Sequence, residues 1–255
     1  MKRRGIPGTE LRVSPVGLGT VALGRTWHLK YPSPKPLPTD RELDLLLSTA
    51  AELGINLLDT APAYGSSEER LGKWLSGRRE GWVISTKVGE RSSPRGSTYD
   101  FRPRSIRRSV EESLRRLRLD ELDLVLVHSD GRDLERLDAL EELSKLKEEG
   151  RIRGVGISVK TAAGGLAAIP RSDVIMTTYG PRDGDEHRVL DEARGRSAIL
   201  LKKVLESGRR KTPEAIAGAL AFALSHPATT SVVIGTTNPE HLRRNVGAAE
   251  EILSK

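Results

Sequence analysis

Short apolar runs alternate with longer amphipathic segments along the chain, and this alternation constrains the fold more than any other feature. Apolar residues in the amphipathic segments recur at helical spacing, as at Ile106, Val110 and Leu114. We therefore predict strands alternating with helices. The predicted strands are Val16–Thr20, Ile55–Leu58, Trp82–Thr86, Leu122–Val127, Ile152–Ile157, Asp173–Thr178, Ser197–Leu201 and Ser231–Ile234.

Eight strand–helix units in 255 residues predict one (β/α)8 TIM barrel that occupies residues 1–255 as a single domain. The alternative is an open, doubly wound sheet, which would need a Gly-x-Gly-x-x-Gly turn after its first strand. The sequence from Gly17 to Ala22 does not complete that turn, which disfavours the open sheet. Residues 89–103 are rich in Ser, Pro, Gly and Arg, and we predict a long loop after the third strand there.

Three helix starts have recognisable capping patterns. Thr39 with Glu42, and Ser66 with Glu69, have the spacing of a capping box, in which a hydroxyl and a carboxylate each accept from a backbone N–H at the helix end. Asn238 precedes Pro239, which suits an N-cap followed by the first helical turn.

Composition excludes several classes of protein. The absence of cysteine excludes disulfides, thiolate metal sites and a cysteine nucleophile, and we find no cluster of acids and histidines that predicts a metal site. The net charge is +7, but acids and bases interleave along the helices, and aromatic residues make up only 4% of the chain, too few for a base-stacking surface. No apolar run reaches the roughly 18 residues of a membrane span. We expect a cytoplasmic protein, monomeric or weakly homo-oligomeric, that binds neither nucleic acid nor membrane.

Four reactive side chains follow three successive predicted strands. Asp59 and Tyr64 follow the second strand, Lys87 the third, and His128 the fourth. In a barrel of this kind the carboxyl ends of neighbouring strands lie side by side, and function is located there. We therefore expect these four side chains to form one site.

Their chemistry suits carbonyl reduction, which needs a proton donor beside the oxygen while hydride reaches the carbon. A phenol such as Tyr64 is a weak acid, with a pKa of about 10. A neighbouring ammonium from Lys87 favours the phenolate, and Asp59 would keep that ammonium charged and oriented. The imidazole of His128 could orient the carbonyl and stabilise the developing oxyanion.

The segment from Gly54 to Glu68, with the sequence GINLLDTAPAYGSSE, resembles the most diagnostic segment of the aldo-keto reductase family. Lys87 and His128 match the positions of that family's lysine and histidine, and residues 235–245 resemble its C-terminal cofactor signature. The resemblance extends from residue 17 to 245. It implies a barrel enzyme that reduces aldehydes or ketones to alcohols with a nicotinamide cofactor, with Tyr64 as the general acid.

The resemblance also implies where the cofactor binds, along the C-terminal ends of the strands. Arg244 and His241 are candidates for binding a 2′-phosphate, which favours NADPH over NADH. The alternative for Arg244 is a solvated surface role. The implied contacts at the last strand and the following helix are Gly235, Thr236, Asn238, His241, Arg244 and Asn245.

At the nicotinamide end the chain departs from the family pattern. Ser158 stands where the family has serine, but Val159 replaces an asparagine and Met176 a glutamine. Lys202 stands where an aromatic residue usually stacks on the ring. Two alternatives follow: either Lys160 or Lys202 takes over the positioning of the cofactor, or the cofactor binds weakly.

Trp27 and His28, after the first strand, are the predicted walls of the substrate pocket. Two other functions stay open. One is a nucleotide-binding regulatory barrel with little or no catalysis, and the other is a different barrel enzyme, such as an isomerase, that uses the same lysine and histidine. The presence of all four reactive residues favours the reductase, which would take a small carbonyl compound as its partner.

Overall fold

Eight parallel strands close into a barrel in the computed structural model, as the sequence predicts. The structure describes residues 1–29, 36–181, 184–210 and 212–254, with only the backbone of Ser207. Each strand pairs with the next one along the chain, and the eighth pairs with the first. The strands are β1 (Val16–Gly19), β2 (Leu57–Asp59), β3 (Val83–Val88), β4 (Leu122–His128), β5 (Ile152–Ser158), β6 (Val174–Thr177), β7 (Ala198–Leu201) and β8 (Thr229–Gly235).

Helices follow the strands on the outside of the barrel, because their apolar faces pack against the outer face of the sheet. A further short helical turn, Val21–Gly24, follows β1 directly. The main helices are α1 (Asp40–Glu52), α2 (Ser67–Leu75), α3 (Pro103–Leu117), α4 (Asp138–Glu148), α5 (Ala162–Ala168), α6 (Glu186–Ala193), α7 (Pro213–Ser225) and α8 (Pro239–Leu253).

Two of the three predicted helix caps are confirmed. The Thr39 hydroxyl accepts from the backbone of Glu42, whose carboxylate accepts from the Thr39 backbone. The Asn238 side chain accepts from two backbone N–H groups at the start of α8. The capping box at Ser66 is wrong. The Ser66 side chain makes no capping hydrogen bond, and its backbone N–H, from which Glu69 would accept, donates to Gly24 instead.

Three strands are longer at their carboxyl ends than the sequence predicts. β3, β4 and β5 run past their predicted ends, so that Lys87, His128 and Ser158 belong to the strands themselves. Backbone pairing then holds these side chains at fixed depth, since His128 is in register with Ser158. Within the predicted loop after β3, Glu90–Ser93 and Gly96–Tyr99 pair as an antiparallel hairpin.

A second hairpin, Arg4–Gly5 with Arg12–Val13, closes the N-terminal end of the barrel, and the sequence analysis did not predict it. Its turn buries Ile6 and Leu11 against the apolar side chains that fill the barrel interior. Hydrogen bonds tie the hairpin to the strand starts; Arg4, for example, donates to the carbonyl of Thr229 at the beginning of β8. The barrel is therefore open to ligands at the other end.

Two glycines fix the turn that follows β2. A Cβ added at Gly24 would lie 2.0 Å from the backbone nitrogen of Ser67, and one at Gly65 would lie 2.1 Å from the carbonyl oxygen of Gly24. Gly65 also has a φ of +61°, which glycine adopts without strain. The turns after β1 and β2 thus touch backbone to backbone, and Tyr64 lies between these contacts.

We predict that Gly24→Ala lowers the free energy of unfolding by about 2 kcal/mol, because the new methyl group meets backbone atoms that cannot rotate away. Gly218→Ala is the matched control: Gly218 lies in α7 with no neighbour within 4 Å of an added Cβ. That substitution should raise the stability by about 0.5–1 kcal/mol. Urea denaturation of both variants checks this, and equal effects would contradict the close approach of the two turns.

Candidate active site

A buried ion pair lies at the base of the site. The Lys87 ammonium donates to both carboxylate oxygens of Asp59, at 2.8 and 2.9 Å, and to the carbonyl of Thr60 at 2.9 Å. The two side chains are 1% and 5% exposed. Burial alone would lower the pKa of Lys87, but the charge and hydrogen bonds of Asp59, together with Tyr64, outweigh it and the pKa is raised. The lysine is therefore a fixed cation.

Tyr64 ends a short 3-10 helix, Pro62–Tyr64, above this pair. The Lys87 nitrogen lies 4.8 Å from the centroid of the phenol ring. Burial raises the pKa of Tyr64, and the opposing effect of the Lys87 cation is smaller, so the phenol stays protonated at neutral pH. Lys87 lowers the pKa of Tyr64, as the sequence predicts, but the larger effect of burial makes the net shift upward.

The His128 ring meets Tyr64 edge to face, with centroids 6.2 Å apart. Its Nδ1 lies 2.9 Å from a carboxylate oxygen of Glu90, at ion-pair distance. Burial lowers the pKa of His128, although Glu90 opposes this. The pKa of Glu90 falls to about 2 despite its burial, because of His128 and Ser97, so this carboxyl group is ionised.

Glu90 is a functional residue that the sequence reasoning missed. It lies in the hairpin after β3, two positions beyond the strand end, in the segment predicted as a long loop. An acid so close to a strand end was the available signal. Its partnership with His128, which comes from the next strand, depends on how the hairpin folds.

Hydroxyl groups hold the turn that carries the site. The Thr20 hydroxyl donates to the backbone carbonyl of Asp59 at 2.9 Å. The Ser67 hydroxyl lies 2.8 Å from that of Thr20 and 3.0 Å from that of Thr60. These buried contacts join the ends of β1 and β2 to the start of α2, so Asp59 and the loop after it are held by three elements.

A cavity of about 280 Å³ lies above these residues at the C-terminal ends of the strands. Asp59, Tyr64 and His128 line it, whereas Lys87 lies beneath the lining. Of the two predicted pocket walls, His28 lines the cavity. Trp27 is not among the lining residues: its indole N–H donates to Ser92 in the hairpin after β3.

The predicted nicotinamide end lies in the same cavity, which Ser158, Met176 and Lys202 line. The Lys202 ammonium donates to the Ser158 hydroxyl and to the carbonyl of Val159, both at 2.7 Å. Burial, with Lys203 and Lys87 nearby, lowers the pKa of Lys202 to about 7. Lys202, itself a departure from the family pattern, thus contacts one position that matches it, Ser158, and one that departs from it, Val159.

The predicted adenine end lies along the start of α8. Gly235 lines the cavity, while Thr236 and Asn238 form the turn beyond it, with the Asn238 backbone N–H donating to the Thr236 hydroxyl. Arg244 and His241 are exposed one to two turns into the helix, and neither has an ion-pair partner among the described residues; Asn245, by contrast, is buried.

These residues fit a dinucleotide. Lys202 lies at one end with no carboxylate within ion-pair distance in the described part of the chain. The other end offers a helix N-terminus and the guanidinium of Arg244, which together suit phosphate.

Comparison with known proteins decides the family: the model of the aldo/keto reductase family matches residues 15–172. The chain belongs to the aldo-keto reductase family. A putative aldo-keto reductase from Pseudomonas aeruginosa is 44% identical, with a TM-score of 0.89 over 98% of this chain and 96% of that one. The holo form of an aldo-keto reductase from Bacillus halodurans is 26% identical, with a TM-score of 0.81 over 100% and 96% of the two chains. An uncharacterized oxidoreductase of Bacillus subtilis is 29% identical over 293 aligned positions, 98% of this chain and 91% of its own length.

Membership of the family makes this chain an oxidoreductase, and aldo-keto reductases in general use nicotinamide cofactors. Within the described residues, no group of three or more His, Cys, Asp or Glu side chains could hold a metal ion. Over the same part of the chain, no helix is long and apolar enough to cross a membrane.

We predict that Lys202→Met stabilises this aldo-keto reductase by about 2 kcal/mol at pH 7, because the buried ammonium costs more than its two hydrogen bonds return. The folded pKa of about 7 lies below the ordinary value of 10.5, so the unfolded chain binds the extra proton between these pH values. Wild-type stability contributed by this group therefore rises with pH, and the advantage of the variant should shrink towards pH 10.5.

Urea denaturation at pH 7 and pH 10 measures both effects. Lys73→Met, which removes an exposed lysine from α2, is the control and should change little at either pH. A destabilised Lys202→Met variant at pH 7 would show that the hydrogen bonds of Lys202 outweigh its desolvation.

Proposed function

We propose that this aldo-keto reductase reduces aldehydes or ketones to alcohols with NADPH, with Tyr64 as the general acid. One observation carries the proposal: Tyr64 and His128 line a single cavity directly above the Asp59–Lys87 pair. In this proposal residues 1–255 act as one domain on a small carbonyl compound.

The cofactor, when bound, supplies hydride to the carbonyl carbon. Tyr64 donates its proton to the carbonyl oxygen, because the phenol is protonated in the resting site. Lys87 then stabilises the phenolate that remains, since its charge is fixed by Asp59. No side chain in this set has to leave its position during the proton transfer.

Glu90 decides how His128 can contribute. An ionised carboxylate beside Nδ1 favours a proton on that nitrogen. A second proton, on Nε2, is then needed for His128 to donate a hydrogen bond to the carbonyl oxygen. Burial, with the charges of Lys87 and Lys202, disfavours this doubly protonated ring and lowers the pKa of His128, whereas Glu90 favours it and so increases the share of the donating form.

Binding and turnover measurements test the proposal. NADPH and NADH are titrated while tryptophan fluorescence is followed, and turnover is then assayed with a panel of aromatic aldehydes. Absence of binding to either nucleotide would overturn the proposal, and binding without turnover would support a regulatory barrel instead.

We predict that Tyr64→Phe reduces kcat by a factor on the order of 10²–10⁴, because the proton donor is lost. The Kd for NADPH should stay nearly unchanged, since the phenol hydroxyl is assigned to the substrate oxygen. Steady-state kinetics and fluorescence titration measure the two quantities, and an equal loss in both would give Tyr64 a different role.

Cofactor preference should depend on Arg244. Arg244→Gln should weaken NADPH binding about tenfold and leave NADH binding unchanged, because a charge-assisted hydrogen bond to the 2′-phosphate is lost. Arg243→Gln is the matched control, since the neighbouring arginine is paired with Glu52 at 2.9 Å. If both variants weaken both nucleotides alike, Arg244 has no part in the preference for NADPH.

A further inference from the structure

The cavity above the ion pair is more basic than carbonyl reduction requires. Its two acids are each committed to a partner: Asp59 to Lys87 at 2.8 Å, and Glu90 to His128 at 2.9 Å. Its lining also includes the basic side chains of Arg25, Lys160 and Lys202. The cavity therefore has a positive character, and charge within it is screened less than in bulk water.

Arg25 is the one of these that lies beside the proposed proton donor. Its guanidinium carbon is 5.7 Å from the centroid of the Tyr64 ring, and one terminal nitrogen donates to the carbonyl of Ala63 at 2.9 Å. The Nε atom is buried without a hydrogen-bond partner. No carboxylate of the described residues lies within ion-pair distance of the guanidinium. Arg25 is half-buried and lines the cavity, so its guanidinium presents there a positive charge that no carboxylate of the described residues pairs. Such a charged donor at a cavity wall suits an anionic ligand.

The position of Arg25 separates it from the candidate cofactor contacts. Its neighbours Ala63 and Tyr64 belong to the turn after β2, and the charge of Glu90, which acts on it, comes from the loop after β3. The candidate nicotinamide and phosphate contacts instead lie at the ends of β5 and β8, directly after β7, and at the start of α8. The cation is thus on the side of the cavity where the substrate, rather than the cofactor, would extend beyond Tyr64.

We propose that Arg25 binds an anionic group of the substrate, so that this enzyme acts on aldehydes or ketones that carry a carboxylate or a phosphate. A guanidinium suits both groups, because it presents two parallel N–H donors to two oxygens. This inference rests on the proposed function, whose reaction it leaves unchanged. It assigns Arg25 to substrate recognition, with the carbonyl held between Tyr64 and His128.

The test compares 4-carboxybenzaldehyde with its neutral methyl ester, methyl 4-formylbenzoate, and 4-formylphenyl phosphate with 4-methoxybenzaldehyde. The ester group withdraws electrons more strongly than the carboxylate, so intrinsic reactivity favours the ester and cannot produce the opposite preference. We expect kcat/KM for at least one anionic aldehyde to exceed that of its neutral match about tenfold or more. The pair that shows the difference identifies the anion as carboxylate or phosphate.

Arg25→Gln should remove this preference by lowering kcat/KM about tenfold for the anionic aldehyde and little for the neutral one. Arg25→Lys, which keeps the charge, should retain part of it. Arg171→Gln removes an exposed charge that pairs with Glu141, and it controls for the overall charge of the protein.

Binding of the alcohol products 4-(hydroxymethyl)benzoate and its methyl ester, measured by calorimetry, gives a readout that needs no turnover. Equal losses on charged and neutral ligands in Arg25→Gln would overturn the inference and give Arg25 a merely structural role. Equal kcat/KM values for the anionic and neutral aldehydes in the wild type would overturn the inference while leaving the proposed function intact.

Turnover of no aldehyde at all would overturn the proposed function, and the calorimetric preference would then decide the role of Arg25 separately. If Arg25→Gln does not fold, the wild type and Arg25→Lys decide the same comparison.

Discussion

The contact between Asp59 and Lys87 is the interaction on which the site depends. Removing two charges from water is costly, and here the cost is offset because the ammonium donates to both carboxylate oxygens and to the carbonyl of Thr60, while the carboxylate also accepts from Ser85. Loss of either partner would leave an unpaired charge inside the barrel. The pair therefore fixes a permanent positive charge under Tyr64, and the other residues of the site are arranged around it.

Positive charge also dominates the part of the cavity wall that Lys202 forms. Lys202 hydrogen-bonds to Ser158 and Val159, yet its neighbours Lys203 and Lys87 disfavour its protonation. A ligand with negative charge would relieve that repulsion and raise the affinity of the site for a proton. Binding and protonation are consequently linked in this cavity, so the apparent affinity for an anionic ligand depends on pH.

The sequence predicts the barrel and the central residues because both follow from local patterns. Apolar periodicity marks the strands, and the carboxyl ends of parallel strands meet at one edge, which brings Asp59, Lys87 and His128 together. The contact of Glu90 with His128 could not be predicted, because it depends on a hairpin formed by polar residues without strand-like periodicity. The upward shift in the pKa of Tyr64 was also out of reach, since the depth of burial follows from packing rather than from the neighbouring charges alone.

The hairpin at the N-terminal end of the barrel has a consequence for how such an enzyme can diversify. Ile6 and Leu11 cover the interior apolar layer from the side opposite the cavity, so the loops that surround the cavity do not have to shield that layer from water. Those loops can change in length and sequence while the barrel keeps its stability. Selection for a new substrate can therefore act on one end of the molecule without disturbing the other.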